Sequence, residues 1–512
     1  MFVRKKRNKS GSISVQIINK SGGKYRVEKT IGNSMDADEI AQFVQEGQAI
    51  IENKDKQQLR LFSVETESQR IIKNFCKNLS NSNIRTLGPE IIFGTLFDRI
   101  GFNEIPNELF RHMVIARLAY PTSKLKTVDY LYRYQGKVIS VDQVYLFLDK
   151  LQNQYKNEAE KIAYLYTKKT LKQISIVFYD MTTLYFESED EDDLRKIGFS
   201  KDGKFQNPQI MLGLLVGKNG YPIGYDIFKG NTFEGHTLIP TLKTIQAKYG
   251  FDKPIVIADA GLLSKDNIEK LKEEKYEFII GARIKNESEQ IKKEILEKSI
   301  NMIDGETFCI TKTDQTKLVI GYSDKRKKKD ESNRKKGLRK LEQKIKFGRL
   351  TKQSINNRGY NKFLSLKGEM IVALNEEKIK EDEKWDGLKG YITNTNLTSQ
   401  EIVDNYRHLW QIEKAFRISK TDLKVRPIYH YKRKRIESHI CIAFVAYTIW
   451  KELERLLEKY KIDFSPKRAG ELTHNMYELE FVLPHSNKKE KIILKMDSEQ
   501  QKLYDLIHNS NF

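Results

Sequence analysis

ISIVFYD, residues 174–180, is a continuous apolar run closed by a carboxylate. A run this short and this rich in β-branched and aromatic residues reads as a strand buried on both faces of an α/β sheet. The text after it keeps the pattern. QIMLGLLV (209–216) and YPIGYDIF (221–228) flank Gly217-Lys218-Asn219-Gly220, which has the chemistry of a hairpin turn. A helix is expected from about His236 to Tyr249, a second buried strand at IVIAD (255–259), a helix from about Ser264 to Lys275, and another strand at YEFIIG (276–281).

The order strand, two hairpin strands, helix, strand, helix, strand predicts an α/β fold with a mixed sheet flanked by helices, a ribonuclease-H-like core. Working outward, SISVQIIN and KYRVEKTIG flank Ser21-Gly22-Gly23 and predict a hairpin, followed by a helix from about Asp36 to Lys56. Helical spacing then runs from about 66 to 170. Between 284 and 395 the core pattern breaks into short strand-like pieces and one charge block. A long helix at about Ser399–Thr421 resumes the core. The expected units are 1–65 (basic β-hairpin plus helix), 66–170 (helical, DNA-binding) and 171–283 (first part of the core). They continue with 284–395 (basic β-rich insertion), 396–464 (second part of the core) and 465–512 (a C-terminal element).

The 512 residues hold 91 Lys+Arg against 69 Asp+Glu, a net charge of +22, so the expected partner is a polyanion. The block Asp324–Lys352 alone carries 14 Lys/Arg against 4 Asp/Glu and is expected to contact a nucleic-acid backbone. Cys76, Cys309 and Cys441 lie far apart, which excludes a disulfide framework and a CxxC zinc site and fits a reducing compartment. The apolar run Ile440–Trp450 is too short to span a bilayer, and MFVRKKRNKS lacks the apolar segment of a signal peptide. No membrane partner is expected, and the expected location is cytoplasmic.

Three acidic residues carry the chemistry. Asp180 is expected at the end of the first core strand, Asp259 at the end of the fourth, and Glu413 in the middle of the long helix. If strands one and four are neighbours, both aspartates meet at the carboxyl end of the sheet, the usual site face of an open α/β fold. A helix crossing that end can deliver Glu413. Converging carboxylates without a balancing cation repel, and hard oxygen donors without His or Cys suit magnesium or manganese. Two such ions can activate a water or a 3′-hydroxyl for phosphodiester attack. On a continuous helix Tyr406, Glu413 and Lys420, seven apart, share one face, with Arg417 one turn beyond Glu413.

YDMTTLYFE (179–187), FKGNTFEGHT (228–237), IADAGLLS (257–264), YRHLWQIEKAFRISKTDL (406–423) and VRPIYHYKRKRIESHI (425–440) occur in that order. Together they resemble the DDE transposases of bacterial and archaeal insertion sequences. The group they resemble is the insertion-sequence-four-like family, which carries a Tyr-x2-Arg-x3-Glu-x6-Lys signature and a β-rich insertion before the catalytic helix. The resemblance implies catalytic, metal-binding Asp180, Asp259 and Glu413. It places the signature's Tyr, Glu and Lys on Tyr406, Glu413 and Lys420, while its Arg position holds Leu409; Arg407 or Arg417 could substitute, and Arg417 is expected because Arg407 points about 120° away from Glu413 on a continuous helix. It further implies Mg2+ or Mn2+, two ions; double-stranded transposon ends and target DNA; a homodimer; and a prokaryotic, nucleoid-associated enzyme. Lys432, Arg433, Lys434 and Arg435 are expected along the DNA channel.

Blander readings stand beside these. The acidic run Glu187–Asp193 reads as a solvated loop, and His236, His430 and His439 as structural or phosphate-contacting residues, since their spacing matches no zinc signature. Gly230-Asn231-Thr232 is either a phosphate cradle or a strand-exit turn. Trp385 is either a stacking residue or core, and Trp410 is expected in the core. The alternatives of function are a non-catalytic DNA-binding protein derived from a transposase, and a ribonuclease-H-like nuclease that cuts without strand transfer.

Overall fold

A computed structural model of the chain describes residues 1–509 apart from 62–65, 251, 348, 351, 357–358, 368–370 and 484–487. Its centre is an eight-stranded sheet. The strands are β1 (Ile176–Tyr185), β2 (Gln209–Val216), β3 (Pro222–Lys229), β4 (Ile255–Ala258), β5 (Phe278–Ala282), β6 (Thr307–Thr311), β7 (Lys317–Tyr322) and β8 (Leu388–Thr393). Their order is β6-β7-β8-β5-β4-β1-β2-β3. β1, β2 and β3 are antiparallel neighbours, whereas β4 lies parallel to β1 and β5 parallel to β4. The order 3-2-1-4-5 with this mixture of directions is the ribonuclease-H-like core that the sequence predicts.

Alternation along the strands sorts side chains into two layers. Val177, Tyr179 and Met181 of β1 and Val256 and Ala258 of β4 face one layer, against α5 (Leu238–Tyr249) and α6 (Lys265–Glu273). Phe178 and Leu184 of β1 and Ile257 of β4 face the other. That second layer holds α9 (Trp410–Arg417) and the long, almost wholly buried α10 (Arg433–Lys459). It also holds α1 (Glu108–Ala119), α3 (Val141–Lys150) and α4 (Lys156–Leu171), which pack on α10, while α2 (Lys124–Gln135) connects α1 to α3. Residues 84–170 therefore share one hydrophobic core with the sheet. Each fully buried aliphatic side chain here contributes about 1.5–3 kcal/mol.

The insertion after β5 extends the sheet, because β6, β7 and β8 all pair into it. Between β7 and β8 runs α7 (Asp324–Lys346), whose Arg334, Gly337 and Leu341 are buried at helical spacing. Leu341 packs with Phe363, Leu364 and Val372, and the cations of the charge block cover the opposite, exposed face. Residues 348 and 351 of the block's end lie outside the described residues; the helix itself lies within them.

Two elements differ from the sequence expectation. Asp180 stands in the middle of β1, which continues five residues further paired only to β2. β4 stops at Ala258, so the sheet is notched beside Asp180, and the apolar run ends where the notch opens. The expected long helix is also broken. α8 (Ser399–Arg407), held at its start by a Thr398–Glu401 capping box, ends at His408, and α9 begins at Trp410. The joint is tightened by hydrogen bonds of 3₁₀ type, Leu409 to Tyr406 and Ile412 to Leu409, and a single π turn follows at Ile418–Asp422. Leu409 turns into the core, only 8% exposed, and Tyr406 is buried on the other side of the break. The seven-residue stripe therefore does not lie on one straight helix.

Residues 1–83 with 481–490 form a separate compact unit. Three antiparallel strands, Phe2–Arg7, Ile13–Asn19 and Arg26–Ser34, carry the expected hairpin plus one basic strand before it. A helix over Ala37–Leu61 packs on this sheet, with Asp36 accepting hydrogen bonds from the first-turn N–H groups of Asp38 and Glu39. No helix among the described residues is long and apolar enough to cross a membrane.

Candidate catalytic site

The register Tyr179↔Ala258 makes Asp180 and Asp259 the next neighbours along two parallel strands. By alternation both fall on the layer occupied by α9. Asp259 caps a short turn over Ala260–Leu262 by accepting the Ala260 N–H at 2.7 Å, and Tyr406 Oη donates to its Oδ1 at 3.3 Å. Gly281 makes room for that phenol, since a Cβ there would stand 2.5 Å from Tyr406 Oη. Burial and the neighbouring Asp259 hold the Tyr406 hydroxyl in its protonated form, as a donor. Glu413 and Asp259 line one cleft of about 370 Å³, together with Tyr406, Lys389, Arg326, Arg407 and Trp410.

Four residues that sequence reasoning did not single out complete the electrostatics. Lys201 Nζ lies 2.6 Å from Glu234 Oε1 and 3.8 Å from Asp180 Oδ1, and donates to the Met181 carbonyl at 2.7 Å. It acts as a resident counter-ion between two carboxylates. Even so, burial pushes the Asp180 carboxyl up to about 6, opposed by Lys201. Lys389 Nζ sits 4.3 Å over the Tyr406 ring, its ammonium lowered by burial and by Arg326 while Asp259 and Glu413 raise it. Glu234 occurs within FKGNTFEGHT, but its approach to Asp180 depends on the β3 exit turn and leaves no spacing signal.

Other expected site residues are distributed as follows. Lys420 Nζ is 3.2 Å from Asp202, which also pairs with Arg426, so it meets the loop next to Lys201. Arg417 is exposed and outside the cleft, which Arg407 lines instead. Lys432, Arg433 and Lys434 are exposed, while Arg435 forms a bidentate pair with Asp149 at 2.9 and 2.8 Å. Trp410 is 52% exposed at the cleft rather than in the core. Trp385 packs partly on the core and lines the adjoining cleft beside Asp259. His236 is exposed, Gly230 is packed against the Gln209 backbone as a strand-exit turn, and Asp192 of the acidic run pairs with Arg195 at 2.7 Å.

The transposase DDE domain model matches residues 171–449, more than half of the chain. The chain belongs to this family. Solved structures similar to this transposase include a piggyBac transposase synaptic complex with hairpin DNA, at 10% identity and TM-score 0.39 over 78% of this chain and 80% of that one. A Mos1 transposase paired-end complex with left transposon end is similar at 14% identity and TM-score 0.16 over 33% of this chain and 56% of that one. No curated protein matches the chain by sequence.

DDE transposases use divalent metal ions, and the donor chemistry here fits such an ion. Asp180, Asp259, Glu413 and Glu234 are hard oxygen donors with no competing thiolate. In the arrangement described, no three acidic, imidazole or thiolate groups among the described residues close to ligating spacing. Lys201 compensates part of their charge. Because the folded-state carboxyl of Asp180 titrates near 6, above its ordinary range, the proton it holds stabilises the metal-free fold at low pH. That contribution is lost as pH rises through about 6. Asp180→Asn is expected to remove this loss, raising the stability of the metal-free transposase at pH 8 by about 2 kcal/mol. Thermal unfolding in EDTA at pH 5 and pH 8 checks it, and an equal pH effect in both proteins would refute it.

Proposed function

We propose that this transposase carries out cut-and-paste transposition of an insertion sequence, cutting at terminal inverted repeats and joining the freed ends to target DNA. The observation that carries this reading is the β1–β4 register, which sets Asp180 and Asp259 side by side on the face that α9 crosses with Glu413. Asp180, Asp259 and Glu413 would hold Mg2+ or Mn2+, two ions, which when bound polarise the scissile phosphate and activate the attacking water or 3′-hydroxyl. Tyr406 orients Asp259 through its hydroxyl. Lys389 and Arg326 supply positive charge to the cleft for a phosphate near Glu413. Tyr406, Arg417, Lys420 and Lys432–Arg435 would contact DNA, as would residues 66–170 and the insertion. The partners are double-stranded transposon ends and target, bridged by a homodimer, in the cytoplasm and nucleoid of a prokaryote.

The test is incubation with linear DNA carrying the element's own ends and a circular target, with metal. Joined products support the proposal. Cleavage without joining would favour a plain nuclease, and binding without cleavage a DNA-binding protein derived from a transposase.

The exposed face of α7 gives a separate expectation. Lys329, Lys336 and Lys340 are exposed on it. Replacing all three by glutamine is expected to weaken DNA binding across sequences and to flatten the slope of log K against log salt by about 3. Binding isotherms from 50 to 300 mM salt (a range chosen at about the usual working values) measure this slope, and an unchanged slope would remove α7 from the DNA path.

A further inference from the structure

A second cavity, of about 530 Å³, lies away from the carboxylates, between the end of α1, the start of α2, the segment 424–430 and the start of α10. Its lining contains five Lys or Arg residues and two histidines, and no Asp or Glu. Two of these cations are deeply buried, Arg117 at 4% and Lys124 at 5% exposure. Lys124 Nζ has no hydrogen-bond partner, and among the described residues no carboxylate pairs with either side chain. Arg117 reaches only the carbonyl oxygens of Leu423 and Lys424, both at 3.4 Å. His439 Nε2 donates to the Val425 carbonyl at 2.9 Å, which leaves its buried Nδ1 unpartnered as well.

A buried ammonium without a partner is strongly unfavourable, and so is a buried guanidinium that meets only neutral carbonyl oxygens at long distance. Burial accordingly lowers Lys124 well below the ordinary lysine range and Arg117 to about 10, while His430 falls to about 3. The 12-residue helix α2 also opens on this cavity, with Ser123 as its cap, so its first-turn N–H groups and dipole add positive potential. His439, a neutral ring whose Nδ1 is an acceptor, only borders the space, whereas the buried ammonium and guanidinium are unfavourable alone and favourable around an anion. A tetrahedral oxyanion with several acceptor oxygens satisfies them together better than a halide, because it can engage an ammonium, a guanidinium and backbone N–H groups at once.

We propose that this cavity is a phosphate-binding site in which Lys124, Arg117 and the start of α2 hold the oxyanion. The phosphate comes either from the DNA backbone or from free phosphate. Arg426 lines the same cavity and pairs with Asp202, which ties the cavity to the loop that carries Lys201, the counter-ion beside Asp180. The phosphate site stands on its own residues and does not depend on strand transfer by this chain.

The experiment is thermal unfolding and calorimetric titration of the full chain with inorganic phosphate, with chloride at equal ionic strength as control. Wild type is expected to gain stability with phosphate at millimolar concentration and not with chloride. Lys124→Met is expected to lose that gain and, having shed an unpaired buried charge, to unfold at a higher temperature than wild type without phosphate. A short DNA duplex supplies the second arm. If it displaces phosphate from wild type, the source is DNA; if phosphate binds and the duplex does not compete, the source is free phosphate. No phosphate effect in wild type, or the same effect in Lys124→Met and in an Arg117→Met variant, would overturn the site. Such a failure would leave metal-dependent cleavage untouched, so the two readings fail separately.

Discussion

Asp259→Asn is expected to abolish metal-dependent cleavage, with a rate at least ~10³-fold below wild type, while binding to end DNA stays within about threefold. The substitution is nearly isosteric. The Asp259 side chain is exposed at the end of β4, so the fold loses little, and an amide oxygen can still accept the Tyr406 hydroxyl. What goes is one anionic donor from a set that needs its full charge to hold a divalent ion. Single-turnover cleavage on labelled end DNA, read beside a binding isotherm, separates the two effects. Retained cleavage would remove Asp259 from the site, and lost binding would mean that its role is structural.

Asp386→Ala is expected to have the largest effect on stability. Arg334 projects from the buried side of α7 and forms a bidentate pair with Asp386 at 2.6 and 2.7 Å, with the two side chains 7% and 8% exposed. Glu383 adds a third contact at 3.4 Å. Removing Asp386 leaves a buried guanidinium with only the longer Glu383 contact, at a cost of about 3–4 kcal/mol, and lowers the Tm by about 3–4 °C. The double replacement Arg334→Met with Asp386→Leu is expected to recover most of this, because a desolvated ion pair contributes little net stability over apolar packing of similar volume. Calorimetry of the three variants tests the account. A double variant no more stable than Asp386→Ala would contradict it. Because α7 carries the basic face and Arg326 of the cleft, Asp386→Ala is also expected to weaken DNA binding at temperatures where it remains folded.

The core was legible because its signals are local. ISIVFYD and IVIAD are apolar without interruption since both layers cover them, and the glycine-rich Gly217–Gly220 turn fixes the β2–β3 hairpin. From those alone, strand order and the meeting of Asp180 with Asp259 could be anticipated. Strand ends were not legible. β1 runs past Asp180 because β2 continues to pair with it, and only the earlier end of β4 exposes the carboxylate. The break at His408–Leu409 was hidden for a related reason. A helical pattern of apolar residues persists across it, and what bends the chain is tertiary, with Tyr406 held by Asp259 and Leu409 drawn into the core. Arg407 rather than Arg417 faces the cleft as a result.

Lys201, Glu234, Lys389 and Arg326 reach the carboxylates from four separate stretches, so no spacing in the text could pair them. Lys124 and Arg117 were likewise anonymous among 91 cations until burial set them apart. Trp410 misled in the opposite direction. An aromatic residue on a helix that packs on a sheet is usually core, but this one begins α9 on the open side and lies under Lys414 at 5.8 Å.

The central claim is that Asp180, Asp259 and Glu413 form one metal-dependent centre acting on DNA ends. The most direct measurement incubates the purified chain with linear DNA carrying its element's own ends, in Mg2+ or Mn2+ and again in EDTA, beside Glu413→Ala. Nicking at the end that requires metal and disappears in Glu413→Ala is the predicted result. Nicking that survives in EDTA or in Glu413→Ala, or specific end binding with no cleavage under either metal, would contradict it.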